Sequence, residues 1–198
     1  MNQVGFALLS IIIYVPIVAG IVCLLLSRGG NSAAVRAVAI AGSLVEVALT
    51  LWLYFAYEPN AQGQPFQFVE NAPWMPQIGV SYHLGVDGLS MFLVIMTAVV
   101  TALVVLFASP GDDDRAGQYF FWLLALESAV VGVFMALDLI LFYIFFEAML
   151  VPMYFIIGGW GGPRRQYAAV KFFLYTLVGS LLMLVAIIGL RVAHSGAA

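Results

Sequence analysis

The chain has 198 residues, 64% of them hydrophobic and only 9% charged, with a formal net charge of −3 at pH 7. A globule of this size cannot clothe its surface with so few charges, so a water-soluble fold is excluded, and so are a disordered chain and a disulfide scaffold. The one cysteine, Cys23, closes no intrachain bridge, and the seven cations form no patch that could hold nucleic acid. A polytopic membrane protein remains.

Crossing about 30 Å of hydrocarbon takes about 20 apolar residues of helix. Six stretches meet that demand, at 4–26, 34–56, 88–108, 118–137, 139–158 and 167–190. They are apolar on every face rather than alternating, which argues for helices over outer-membrane strands. The first stretch has only Asn2 and Gln3 ahead of it, no cation, and no small-residue cleavage pattern behind it, so it reads as a retained helix and not a signal. The sequence therefore predicts an all-α bundle of about six spanning helices.

The connections differ in character. Arg28, Gly29, Gly30, Asn31 and Ser32 make a short turn-rich link. Residues 58–86 form a long loop with four prolines (Pro59, Pro65, Pro73, Pro76) and no Lys or Arg. The third link carries Asp112, Asp113, Asp114 and Arg115, the fourth is a tight turn around Asp138, and the fifth is glycine-rich with Pro163, Arg164 and Arg165. Arg28, Arg36, Arg115, Arg164, Arg165 and Lys171 all fall on one side of a six-span chain, and only Arg191 falls on the other. Cations mark the cytoplasmic side. The expected topology therefore puts both ends and the Pro-rich loop outside.

An ionisable group at membrane depth is a functional candidate by default. Three glutamates lie far from any span end: Glu46, Glu127 and Glu147. Counting ~1.5 Å per residue from the cytoplasmic ends places them about 18, 14 and 16 Å deep, a polar layer in the membrane plane suited to lateral proton relay. Tyr143 and Tyr154 share a helix face with Glu147, and Pro152 withholds an N–H from the Ala148 carbonyl beside it. Glu147 is the leading candidate for proton loading. The competing reading keeps it neutral as a hydrogen-bonded tie between helices. Glu127 and Glu46 have thinner surroundings and divide evenly between relay and structural hydrogen bond. Lys171, between Tyr167 and Tyr175, either snorkels to the interface or turns inward. Asp87 and Asp138 suit helix N-caps, and Arg191 and His194 the outer interface. Trp52, Trp74, Trp122 and Trp160 suit aromatic belts. No metal-binding cluster, phosphate loop or dinucleotide fingerprint is present, and His83 and His194 are isolated, so no redox chemistry is expected on this chain.

Three motifs carry a resemblance: LFYIFFEAMLVPMYF at 141–155, YHLGVDGLSM at 82–91 and YAAVKFFLYTLVGSLLM at 167–183. They resemble the subunit M family of the bacterial proton-pumping NADH:quinone oxidoreductase, respiratory complex I, over essentially the whole chain. Mrp-type cation/proton antiporter subunits and membrane subunits of energy-converting hydrogenases are relatives. The resemblance implies about fourteen helices containing two inverted repeats. It also implies a glutamate on the fifth helix, matching Glu147, that is required for pumping. NADH, FMN, Fe–S clusters and quinone would sit on partner subunits, and other membrane subunits and the bilayer of a bacterial inner membrane would be the neighbours. On this view 1–117 is an N-terminal three-helix region, and 118–198 begins the translocating repeat without completing it. The family's broken seventh helix and its buried lysine lie beyond these six spans, so a fragment or split gene is expected, and Lys171 is not that lysine. A non-catalytic scaffold is the remaining rival.

Overall fold

The computed structural model describes residues 7–58, 65–108 and 115–195, the side chains of the last two excepted. Asn2, Gln3, Pro59, Asp112, Asp113, Asp114, the first three residues of the first expected span and the side chain of His194 lie outside the described set. Among the described residues six α-helices form: α1 Leu8–Ser27, α2 Ser32–Ala56, α3 Gly88–Phe107, α4 Ala116–Met135, α5 Leu139–Trp160 and α6 Arg165–Ser195. All six are long and apolar enough to cross a membrane. The expected boundaries differ most at α6, which starts two residues earlier than expected and continues to Ser195.

Local chemistry sets the ends. The Asn31 side chain accepts from Ala34 N (3.0 Å) and starts α2. Asp87 and Ser90 form a reciprocal capping box on α3. Asp138 accepts from Ile140 N (2.8 Å) and Leu141 N (3.2 Å) at the start of α5. Capping is therefore the structural part played by both aspartates.

α4 is the hub. It packs on α1, α2, α3 and α5, while α6 leans chiefly on α5 and leaves most of its surface open. Two apolar clusters fill the α1–α4 bundle. One, at the end nearer the α2–α3 connection, joins Leu8, Ile12, Ile13, Leu53, Val94 and Val131. The other, at the opposite end, joins Cys23, Val35, Ala39, Val105, Phe120 and Leu124.

The long loop holds more order than its prolines suggest. Residues Gln67–Met75 (β1) and Val80–Val86 (β2) form an antiparallel hairpin, closed by a single 3-10 turn at Pro76–Ile78 and by Gly79 at φ +61°. Two register irregularities bend β1, and Pro73 is tolerated because each strand of a two-stranded sheet has a free edge. The physical reason for the strand is burial: Phe68, Val80, Leu84 and Val86 are buried, most of them in the first cluster. The hairpin is pinned to the α4–α5 turn by Leu137 N donating to the His83 carbonyl (2.9 Å) and by Ser81 N donating to Asp138 (3.1 Å).

Candidate functional site

The polar groups of the bundle are not scattered. Ser43, Glu46, Thr50, Thr101, Glu127 and Ser128 are all buried, and they lie on α2, α3 and α4 between the two apolar clusters. On α2 they follow the spacing of the inward face, Val35, Ala39, Ser43, Glu46, Thr50, Leu53, so the face that packs the bundle also carries the polar groups. Glu46 is 0% exposed and Glu127 2%. The two carboxyls come close enough across α2 and α4 to act on each other electrostatically. None of their four oxygens has a hydrogen-bond partner among the described residues. The hydroxyls around them are committed elsewhere: Ser43 donates to Ile40 O (3.0 Å), Thr50 to Val47 O (3.0 Å), and Ser128 to the carbonyl of Ile13 on α1.

Glu147 stands in a different place. It is half-buried on α5, with one oxygen unpartnered among the described residues, and it interacts with the Tyr143 hydroxyl, which also reaches Ser180 on α6. Ser180 is buried while its neighbours on α6 are largely exposed, so this contact marks the face of α6 that meets α5. Pro152 lies within α5 and is buried. Measured as helical rise from the end where α2 and α4 begin, Glu46, Glu127 and Glu147 stand about 21, 16 and 20 Å along their helices. All three share one stratum, and within it Glu46 and Glu127 lie in electrostatic range of each other.

Lys171 is exposed on α6, its ammonium 5.7 Å from the centre of the Tyr167 ring. At the same end, Arg115 lies over the Trp160 ring (5.7 Å), Tyr119 meets that ring edge-on, and Trp122 stacks on Phe155 at 4.3 Å. Sequence reading missed Glu70, whose role is structural: it binds the first turn of α1. An acidic residue in a Pro-rich loop gives no periodicity to notice, and only its strand position reveals it.

The groups at hand are proton-exchanging: three carboxyls at mid-span, phenols, and hydroxyls whose oxygens still accept. Among the described residues no group of three or more His, Cys, Asp or Glu gathers as metal ligands would.

A family model described as "NADH:quinone oxidoreductase/Mrp antiporter, TM" matches residues 136–196, the stretch that holds Glu147 and Lys171. NADH-quinone oxidoreductase subunit M of Rhodobacter capsulatus is 45% identical over 187 residues, 92% of this chain and 35% of that protein. Respiratory complex I from Thermus thermophilus contains a chain with TM-score 0.77 and 31% identity, over 93% of this chain and 36% of that one. The Mrp complex from a Dietzia species is alike in fold at TM-score 0.73 and 22% identity. The chain thus spans about a third of the length of the Rhodobacter subunit and of the Thermus chain, and 19% of the Mrp chain.

Proposed function

We propose that this chain, a homologue of NADH-quinone oxidoreductase subunit M, is a proton-translocating part of the membrane arm of that oxidoreductase. Its helices sit in a bacterial inner membrane beside other membrane subunits. NADH, FMN, Fe–S clusters and quinone belong to partner subunits, and electron transfer there drives proton movement here. The six clustered cations support an orientation with both ends of the chain and the hairpin outward. Residues 118–198 open the translocating repeat and 1–117 brace it.

The observation that carries the reading is the position of Glu147. A half-buried carboxyl stands midway along α5, inside the matched segment, with one oxygen unpartnered and Tyr143 linking it to α6. A carboxyl in such a place exchanges charge for a proton as its neighbours change, because the cost of ionising it depends on a few nearby dipoles and charges. Glu147 is the loading site, Glu127 and Lys171 are supporting groups, and Glu46 is the outlying member.

The test is Glu147→Gln in the intact oxidoreductase. Assembly stays normal while proton translocation by membrane vesicles falls at least tenfold. Unchanged pumping with normal assembly overturns the reading and leaves a scaffold. A second reading, a cation/proton antiporter subunit without a redox partner, is favoured by the joint description of the matching family model. Sodium-dependent proton movement independent of NADH would select it.

A further inference from the structure

We propose that Glu46 and Glu127 form one coupled proton-binding site between α2 and α4, distinct from Glu147, in which at most one of the two carboxyls is ionised at neutral pH. Both side chains are at least 98% enclosed, and they lie in one polar stratum between two apolar clusters. An ionised carboxylate in such surroundings needs donors or a counter-ion to offset the loss of water.

Neither is at hand. α3 carries no titratable side chain along its length. On α1, Tyr14 is exposed and the Cys23 thiol is turned to the Val35 carbonyl in the other cluster. On α2, Arg36 reaches the Leu106 carbonyl at the far end and Tyr54 is exposed. On α4, Arg115 and Tyr119 sit at the Trp160 end. On α5 the titratable groups are Tyr143, Tyr154 and Glu147, and Tyr143 with Glu147 turn to α6.

The hydroxyls decide which form the site prefers. Ser43, Thr50 and Ser128 each spend their single hydrogen on a backbone carbonyl. What they retain are oxygen lone pairs, which accept. No hydrogen is therefore left for a carboxylate, and none of the four carboxyl oxygens has a hydrogen-bond partner among the described residues. With a second carboxyl in electrostatic range, ionising both would place two like charges in a dry layer without a cation. The pair therefore loads and releases its protons in separated steps that belong to both residues. Because the stratum also holds the level of Glu147, the pair is placed to receive a proton on the α2–α4 side of the hub helix.

The inference deepens the proton-translocating reading, but its test is an equilibrium titration and needs no turnover. Infrared spectroscopy of the protonated-carboxyl stretch is followed against pH on the membrane-embedded full-length protein with labelled glutamate. Glu46→Gln, Glu127→Gln and the double variant assign the two groups. In the wild-type protein the pair titrates in two separated steps. Glu46→Gln collapses these to one and moves the Glu127 titration down by about one pH unit or more, and Glu127→Gln does the same for Glu46. A titration of either group unmoved by loss of the other overturns the proposal. So does a pair fully ionised at neutral pH. If one variant fails to fold, the reciprocal variant decides. Glu147→Gln leaves the pair's titration in place, so failure of the pumping assignment and failure of this one are read separately.

Discussion

Glu70 of β1 grips the first turn of α1 through Ser10: one carboxylate oxygen accepts from Leu9 N at 2.6 Å, and the other from Ser10 N at 3.2 Å and from the Ser10 hydroxyl at 2.5 Å. α1 has no side-chain cap of its own at Ala7. The hairpin thus supplies the cap from a distance, satisfying N–H groups that a helix end otherwise leaves unpaired, with a negative charge where the helix dipole favours one. Glu70→Ala should destabilise the protein by about 1–2 kcal/mol. Glu70→Gln, which keeps one acceptor, should cost less. Thermal unfolding in nanodiscs gives the ranking, and faster amide exchange confined to the start of α1 identifies the cause.

Asp138 makes a second tie from the hairpin, and its two oxygens separate two tasks. Oδ1 caps α5 and Oδ2 accepts from Ser81 N at 3.1 Å. Asp138→Asn keeps an oxygen for the cap and presents an amide nitrogen to the Ser81 N–H, donor to donor. Exchange of the Ser81 amide should rise several-fold in this variant while the first turn of α5 stays protected. Asp138→Ala loses both and should loosen both. Equal protection of Ser81 in Asp138→Asn and wild type would mean that the Leu137–His83 bond alone holds the strand.

Helices were legible because each crossing needs a long apolar run whatever surrounds it. Capping at Asp87 and Asp138 was legible too, since an aspartate before an apolar run has few other uses. The hairpin was hidden. Its prolines read as loop, and its strands exist because Phe68, Leu84 and Val86 find a buried surface built by distant helices. Depth counting put Glu46, Glu127 and Glu147 at one level, but a level is not a contact. Which helix faces which decides that, and nearest-neighbour choice is a tertiary property. That Glu46 lies within electrostatic range of Glu127 follows from the packing of α2 on α4, which no periodicity within either helix encodes.

The α4–α5 contact depends on a missing side chain. A Cβ at Gly132 would collide with the Phe145 ring, so the aromatic lies directly against the α4 backbone. Membrane helices without a hydrophobic drive to associate rely on such close approach. Gly132→Ala should cost about 1–3 kcal/mol by overpacking, and Gly132→Val more. Pairing Gly132→Ala with Phe145→Leu should recover part of the loss, because the smaller side chain yields the space. An additive double variant, measured by denaturant unfolding in detergent, would show that the ring does not set the spacing.

The hairpin end of the bundle carries two groups whose protonation should matter in opposite directions. At Asp87 the Ser90 backbone N–H, 2.7 Å away, holds the carboxyl below its ordinary value, so the folded chain favours the charged form. That stability is present above the unfolded value of about 4 and is lost as pH falls through the folded one. Tyr82 behaves inversely. Burial pushes its phenol above the ordinary value, and its oxygen lies 3.0 Å from the Ser10 hydroxyl inside the Glu70 clasp. The folded state favours the neutral phenol. The unfolded chain ionises at about pH 10 while the folded one resists, so stability is full below that pH and declines as pH rises beyond it. Unfolding midpoints followed across pH should therefore drop at both extremes. Asp87→Asn should flatten the acid limb only, and Tyr82→Phe the alkaline limb only. An alkaline limb unchanged in Tyr82→Phe would assign that loss to other tyrosines and detach Tyr82 from the clasp.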